Sequence, residues 1–369
     1  MFTARFLIPL LAAGVAGSTS LGPISSAELC GRCHRAIYDA WNTSAHARAM
    51  DSRLFQDVLD MAETDFGAGA RKTCLNCHSP LAIQTGDLDL QKKVSWEGVT
   101  CDYCHSIQEV SFAGANPKAR TEFALIKSGP LKDASSSAHG TVFSAVHTSS
   151  AICAPCHEYR NATGFAVLTT YSEWKNSHYW KEQKQCQSCH MAVVSGEVVD
   201  PRIKRDPIAR VNLHQMPGSH SITQLTSTIK AQLTAIHDGG HLKVAVEVAN
   251  VAAGHYVPTG SPLRQLVLEL RADSYDGKHL RQERVYQRTV ADQHGTVLNR
   301  EYLAFLKAAK VVSDTRLAPG EKRLESFVFE IPAGVQTQVR ATFWYYYSPL
   351  ATTESQKRVT FLELNRLVR

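Results

Sequence analysis

The chain repeats one pentapeptide, Cys-x-x-Cys-His, five times between residues 30 and 190. The copies are Cys30-Gly-Arg-Cys33-His34, Cys74-Leu-Asn-Cys77-His78, Cys101-Asp-Tyr-Cys104-His105, Cys153-Ala-Pro-Cys156-His157 and Cys186-Gln-Ser-Cys189-His190. Thiols three residues apart lie about one helical turn from each other, so both can form thioethers to one porphyrin. The adjacent imidazole can then bind the iron from the proximal side. The repeat predicts five haem c groups, with the two cysteines of each copy as anchors and its histidine as proximal ligand.

Zinc clusters and disulfide frameworks also use Cys-x-x-Cys pairs, and they are the alternative interpretation of the repeat. Neither needs a histidine directly after each pair. The five copies also use all 10 cysteines of the 369 residues, which leaves none for a separate cluster. The pattern therefore favours covalent haem.

Residues 1–18 have the composition of a secretory signal peptide. Arg5 precedes an apolar run from Phe6 to Ala16, and small residues follow at Gly17 and Ser18. The run is shorter than the roughly 20 residues that a membrane-spanning helix needs. We expect the chain to be exported to the periplasm or the cell exterior, which is where c-type haem is attached. We expect no integral membrane segment after the signal peptide is cleaved.

The formal net charge of +6 does not indicate nucleic-acid binding. Five haems bring ten propionates, which would take the fully reduced mature protein to about −5 after the loss of Arg5. We expect much of the Lys and Arg excess to pair with propionates. Nucleic acid is therefore not an expected partner.

The distribution of cysteine divides the chain into a predicted pentahaem cytochrome c domain at 19–221 and a predicted β-sandwich domain at 222–369. The motif starts are 44, 27, 52 and 33 residues apart, which leaves too little chain to enclose each haem separately. We expect the porphyrins to touch and to form most of the apolar core, connected by short helices and loops. A helix is predicted near 33–50, with loops at 109–138 and 191–210.

The C-terminal region has the alternation of β-strands. Alternating apolar residues occupy 241–248, 265–272, 325–331 and 338–347, and Asp276-Gly277, Pro319-Gly320 and Ala333-Gly334 have the composition of turns. The size is typical of an immunoglobulin-like β-sandwich. The predicted fold class is therefore α+β and multidomain.

Each iron needs a sixth ligand or keeps an open position, and eleven histidines lie outside the motifs. The candidates favoured by their position near the motifs are His46, His139, His214 and His220. His147 and His178 are weaker candidates, because either could pack on a porphyrin or bond a propionate instead. His255 lies in the C-terminal region, where it is either a turn residue or a ligand that reaches across to a haem. Met216 is expected to pack against a flat apolar face.

Several longer motifs resemble those of a known cytochrome family. These are Tyr38-x-x-Trp41-x-x-Ser44-x-His46-x-x-Ala49-Met50, Glu97-Gly-Val-Thr-Cys101 and Tyr171-Ser-Glu-Trp174-Lys-x-Ser177 before Cys186. Over about residues 27–220 the chain resembles multihaem cytochromes related to the tetrahaem electron acceptor of hydroxylamine oxidoreductase. The resemblance implies distal ligands at His46, His139 and His214. It extends to a C-terminal β domain through Asn250-Val-Ala-Ala-Gly-His255 and Asp314-Thr-Arg-Leu-x-Pro-Gly-Glu321.

Two features depart from that family. Five motifs stand where the acceptor has four haems, and His178 follows Ser177 directly, whereas His46 stands two residues after Ser44. The leading hypothesis is an electron carrier, not an enzyme, that passes single electrons through mainly bis-histidine haems between a redox donor and acceptor protein. The alternatives are an enzyme with one open iron acting on a small nitrogen or sulfur compound, and a self-associating subunit of an extracellular cytochrome filament.

Overall fold

The structure is a computed structural model that describes residues 23–204, 210–347 and 358–369. The predicted signal peptide at 1–18 lies outside the described residues. Within the described part of the chain, no helix has the length and apolar character needed to cross a membrane.

Most helices are short and lie in the first two thirds of the chain. They are α1 (Ala27–Gly31), α2 (Arg35–Asn42), α3 (Arg53–Phe66), α4 (Ala68–His78), α5 (Pro80–Thr85), α6 (Cys101–Cys104), α7 (Ala154–His157), α8 (Thr170–Lys175), α9 (His178–Lys181), α10 (Cys186–His190), α11 (Ile222–Thr228) and α12 (Glu301–Lys307). Three 3-10 turns lie at Lys93–Trp96, Ala145–Thr148 and Ser150–Cys153.

The strands form small two-stranded pairs in the motif region and longer ladders after residue 228. They are β1 (Ile107–Ser111), β2 (Lys118–Thr121), β3 (Ile126–Gly129), β4 (Gly140–Phe143), β5 (Glu158–Arg160), β6 (Ala166–Thr169), β7 (Val193–Ser195), β8 (Arg210–Asn212), β9 (Ile229–Asp238), β10 (His241–Asn250), β11 (Gln265–Ser274), β12 (His279–Tyr286), β13 (Arg288–Ala291), β14 (Lys310–Asp314), β15 (Lys322–Phe329), β16 (Thr337–Tyr346) and β17 (Arg358–Val368). The mixed α+β class is confirmed.

The helix predicted near 33–50 is much shorter than expected, because α2 ends at Asn42. The Thr43 hydroxyl donates to the carbonyl of Ala40, and the Ser44 hydroxyl accepts from the amide of Ala47. Hydroxyl side chains that bond the nearby backbone compete with helix propagation. The chain therefore continues from Thr43 as turns.

The loops predicted at 109–138 and 191–210 contain short strands. Strand β1 pairs with β2, β3 pairs in parallel with β4, and β7 pairs with β8. Ladders of three or four residues give too little alternation for a sequence pattern to reveal. Residues 205–209 of the second loop lie outside the described residues.

Two larger antiparallel sheets and the pair β13-β14 lie in the described part of the C-terminal region. One has the strand order β15-β10-β9, and the other has the order β12-β11-β16-β17. The strands predicted at 241–248, 265–272, 325–331 and 338–347 are confirmed as β10, β11, β15 and β16. The turn glycines Gly277, Gly320 and Gly334 all have positive φ, which a residue without Cβ adopts readily.

The two sheets share one apolar core. Val244, Val246 and Val248 of β10 are buried together with Leu268 of β11 and Phe343 of β16. This cluster joins residues from both sheets and from α11. The motif region has only smaller clusters, of which the one around Met50, Leu59 and Leu75 is typical.

Polar contacts connect the motif region to the C-terminal region. Tyr302 donates to Asp65 at 2.7 Å, Asn161 donates to the carbonyl of Ala308 at 2.8 Å, and Tyr347 donates to the carbonyl of Ser219 at 2.6 Å. Tyr302 of α12 is also buried against Ala62 and Ala70. The sheets therefore pack directly on the part of the chain that carries the cysteines.

Candidate haem-binding site

The five motifs lie on short helical turns brought together by the fold. Four motif histidines lie at or next to the C-terminal ends of α4, α6, α7 and α10, whereas His34 lies three residues after α1 and is the N-cap residue of α2. The thiols of Cys30 and Cys101, of Cys77 and Cys156, and of Cys153 and Cys186 belong to different motifs and lie close enough to perturb one another's pKa. Haems anchored at such cysteines would lie near one another.

The fourth motif is the centre of this arrangement. Cys156 contacts the second motif and Cys153 contacts the fifth. Cys104 of the third motif lies close enough to both to affect their pKa. Because Cys101 in turn contacts Cys30 of the first motif, all five motifs form one connected set.

Four of the five motif histidines face a second imidazole in the described part of the chain. The pairs, with the distances between ring centroids, are His34 with His139 at 6.2 Å, His157 with His46 at 6.2 Å, His105 with His214 at 6.4 Å and His190 with His255 at 6.3 Å. These pairs include three candidates favoured by sequence position and also His255.

These distances fit an iron held between two imidazoles. A metal bound by a ring nitrogen at about 2.0 Å lies about 3 Å from that ring's centroid, so two rings on opposite sides are about 6.2 Å apart. Rings in van der Waals contact would be much closer, as Phe55 and His78 are at 3.8 Å. The four spacings therefore match bis-histidine haem ligation.

The hydrogen bonds of these rings involve Nδ1, so Nε2 is left to bind a metal. In six of the paired rings, Nδ1 faces a backbone carbonyl at 2.6–2.9 Å: His34 faces Val198, His105 faces Ser128, His190 faces Pro217, His139 faces Gly140, His214 faces Asn212 and His255 faces Tyr256. A carbonyl can only accept, so Nδ1 carries the proton. Nε2 then keeps the lone pair that binds a metal.

Burial keeps several of these imidazoles neutral. It lowers the pKa of His157 to about 3 and the pKa values of His78 and His214 to about 4. It also lowers the pKa of His46 and His255. A neutral imidazole is the form that ligates a metal, so no proton has to be displaced at pH 7.

His147 has the opposite hydrogen bond. Its ring lies 5.4 Å from that of His105, but its Nε2 faces the carbonyl of Cys104 at 3.0 Å, while its Nδ1 is buried without a partner. The separation from His105 is too short for an iron between the rings. The geometry favours His214 over His147 opposite His105.

The other candidates lie against tyrosines. His220 stacks on Tyr347 at 3.9 Å, and His178 contacts Tyr179 at 4.0 Å. Among the described residues, His78 makes its ring contact with Phe55 and not with a second imidazole. The second motif thus differs from the other four.

The position of His46 depends on the segment before the third motif. The amide of Val99 donates to the carbonyl of His46 at 3.0 Å, and Trp41 donates to the carbonyl of Val99 at 2.9 Å. Gly98 has φ +69°, and a Cβ there would overlap the carbonyl oxygen of His46. Only glycine fits both this backbone conformation and this approach.

The position of His255 depends on Glu173, which lies on α8 in the motif region. One carboxylate oxygen of Glu173 accepts from the amide of Tyr256 at 3.1 Å and from the hydroxyl of Thr259 at 2.8 Å. The other accepts from Arg316 at 2.7 Å, and both side chains of this ion pair are buried. The carboxylate therefore fixes the loop that carries His255.

Sequence reasoning did not identify Glu173, Phe55 or the Arg316 contact, and it assigned Met216 to packing alone. Glu173 lies inside the conspicuous Tyr171-Ser-Glu-Trp174 motif, which was the available signal. Met216 packs near Trp41 as expected, but its sulfur also lies 2.8 Å from Nδ1 of His46.

Comparison with known proteins agrees with this geometry. Residues 29–106 match the family described as cytochrome c554 and c-prime. Cytochrome c-554 of Nitrosomonas europaea is 30% identical over 120 residues, which cover 30% of this chain and 50% of that relative. The chain therefore spans about half the length of this curated relative.

A solved structure extends the likeness to nearly the whole chain. The penta-heme cytochrome c552 from Thermochromatium tepidum superposes with a TM-score of 0.75 at 22% identity, covering 93% of this chain and 98% of that one. The two proteins share a fold. With the family match, this likeness supports a multihaem c-type cytochrome that binds haem c.

Proposed function

We propose that the protein is an exported electron carrier with five covalently bound haems, four of them held between paired histidines. The observation that carries the proposal is the set of four imidazole pairs separated by 6.2–6.4 Å. When bound, haem c supplies a reversible one-electron iron couple. Two strong nitrogen ligands leave no position on the iron for a substrate, so such an iron suits electron transfer and not catalysis.

The proposed ligand set uses the five motif histidines and four distal residues. The distal residues are His139 for His34, His214 for His105, His46 for His157 and His255 for His190. The ligands to the last iron come from both regions, because His255 follows β10 in the C-terminal region. The buried Glu173–Arg316 pair supports this assignment, because it holds the His255 loop against α8.

Contact between the motifs supports electron transfer within the molecule. Thiols of the first and third, second and fourth, and fourth and fifth motifs lie close enough to perturb one another's pKa. A redox protein donor could therefore deliver an electron near one motif and an acceptor could remove it near another. Self-association into a filament stays a prediction.

Carbon monoxide binding to the reduced protein tests the ligand set, because a bis-histidine iron resists carbon monoxide. We expect no more than one molecule bound per five haems in the wild type, and one additional molecule in the His255→Ala variant. The matched control is His178→Ala, which should bind as the wild type does. Binding of two or more molecules by the wild type would contradict the proposal.

A second candidate function follows from His78. Its ring stacks on Phe55, and no second imidazole faces it in the described part of the chain, so an iron bound there would lack a paired histidine. An open iron could bind a small nitrogen or sulfur compound and make the protein an enzyme. Turnover of nitrite, hydroxylamine or sulfite by the reduced or oxidised protein, lost when carbon monoxide occupies that iron, would favour this function.

We also propose a domain boundary near residue 221 and an immunoglobulin-like sandwich after it. Seven strands in antiparallel sheets of three and four, with inner faces that share one core, support that type. The signal-peptide composition of residues 1–18 supports export to the periplasm or cell exterior. Intact mass measurement of the secreted protein tests cleavage and haem number together.

A further inference from the structure

The histidine pair of the fourth motif has a different hydrogen-bond acceptor from the other three pairs. In those three pairs both rings donate Nδ1–H to backbone carbonyls. Nδ1 of His46, which faces His157, instead lies 2.8 Å from the thioether sulfur of Met216. A thioether is a weak acceptor, whereas a carbonyl is a strong one.

The strength of the acceptor on Nδ1–H affects the basicity of the imidazole and, through it, the reduction potential of the iron. A strong acceptor on Nδ1–H makes the imidazole a more basic ligand, which stabilises ferric over ferrous iron. A weak acceptor leaves the imidazole less basic, so that the ferrous form gains relative stability. The reduction potential of an iron between His46 and His157 is therefore raised relative to a pair that donates to carbonyls.

Met216 lies in a short segment with an unusual backbone conformation. Met216 has φ +46°, a conformation that a residue with a side chain rarely adopts unless its surroundings impose it. Two residues of the same short segment are acceptors for other ligands, since Asn212 accepts from His214 and Pro217 accepts from His190. The segment from Asn212 to Pro217 thus serves three histidine pairs, and it offers sulfur to only one.

The affected pair also occupies the centre of the motif network. Cys156 contacts Cys77 of the second motif, Cys153 contacts Cys186 of the fifth, and Cys104 of the third lies nearby. A raised potential here would retain an electron where the paths from three motifs meet.

We propose that Met216 tunes the haem of the fourth motif to the highest reduction potential among the four haems with paired histidines. The inference rests on the proposed ligand set. Met216 does not touch the iron in this account, because it acts through His46. The central haem is then the first of these four to accept an electron.

The structure supplies a spectroscopic label for this haem. The rings of His46 and His157 are nearly perpendicular at 87°, whereas the other pairs are inclined at 42°, 23° and 18°. Perpendicular axial imidazoles leave two iron d orbitals nearly degenerate, which gives a ferric low-spin electron paramagnetic resonance signal with a large maximal g value. More nearly parallel rings give rhombic signals.

The test is a potentiometric titration of the full holoprotein followed by electron paramagnetic resonance. In the wild type we expect the large-g signal to disappear before the rhombic low-spin signals as the potential falls. In Met216→Gln, whose amide oxygen is a stronger acceptor, the reduced-to-oxidised ratio of that haem at a fixed potential should fall by about tenfold, or 59 mV. In Met216→Leu, which has no acceptor, that ratio should stay the same or rise.

Met61→Leu is the matched control, because Met61 packs near Ala62 and Tyr302 and should leave every signal unchanged. A fall in the glutamine variant without a fall in the leucine variant separates tuning from a structural role, which would disturb both alike. The inference is overturned if the large-g signal is not the first low-spin signal to disappear, or if Met216→Gln leaves its potential unchanged. Absence of any large-g signal would instead overturn the His46–His157 assignment itself.

Discussion

The motif region and the C-terminal sheets achieve stability in different ways. The sheets enclose a continuous core of fully buried side chains that includes Leu242, Leu268 and Phe343. The motif region has several small clusters, and its ten cysteines include nine that are partly buried and one, Cys189, that is exposed. The comparison teaches that one region carries its apolar core in its own side chains, while the other has only small clusters in its described residues, and we expect porphyrins to complete its core.

Preventing haem attachment should have the largest effect, because it should destabilise the motif region and leave the sheets stable. Expressed without haem maturation, the full chain should keep slow amide exchange in β10, β11 and β16. The helices α3 and α4 should lose protection, because the ligand that stabilises the native state is absent. Equal protection of both regions in the haem-free chain would refute the comparison.

Breaking the buried ion pair between the regions should have the next largest effect. Arg316→Ala leaves the carboxylate of Glu173 buried without its cation, which should reduce the free energy of unfolding by about 3–5 kcal/mol. Denaturant unfolding followed by haem absorbance and by tryptophan fluorescence measures this loss.

The control for that variant is Arg35→Ala. Arg35 pairs with Asp39 at the surface, where the two side chains are 67% and 56% exposed. This surface pair should contribute about 0–1 kcal/mol. Equal losses in the two variants would show that the Glu173–Arg316 pair stabilises the protein no more than a surface pair does.

A core substitution in the sheets should have a comparable or smaller effect confined to one region. Leu268 is fully buried, and Leu268→Ala should cost about 2–5 kcal/mol through lost burial and the cavity left behind. Leu324→Ala, at a site 66% exposed, should change stability by no more than about 0.5 kcal/mol. Calorimetry should show the sheets unfold at a lower temperature in Leu268→Ala. The haem spectrum at temperatures below that transition should stay unchanged.

The sequence predicted those features that are encoded by residues close together in the chain. The five motifs and the alternating strands around Val244, Leu268 and Phe343 needed only spacing and period. The extent of α2 was wrong, because the competing hydroxyl bonds of Thr43 and Ser44 are not part of a periodic pattern.

Tertiary packing supports an assignment where local patterns left alternatives open. Sequence position alone left His255 between a turn residue and a ligand, since its partner His190 lies 65 residues earlier. The choice between His214 and His147 likewise depends on which ring nitrogen faces a carbonyl. The role of Met216 depends on a left-handed backbone that no composition indicates.

The spin states of the fully oxidised protein test the central claim most directly. Integrated electron paramagnetic resonance intensities, normalised to total haem, should show five ferric haems per chain, four low-spin and one high-spin. Two or more high-spin haems per chain would contradict the four histidine pairs on which the account depends.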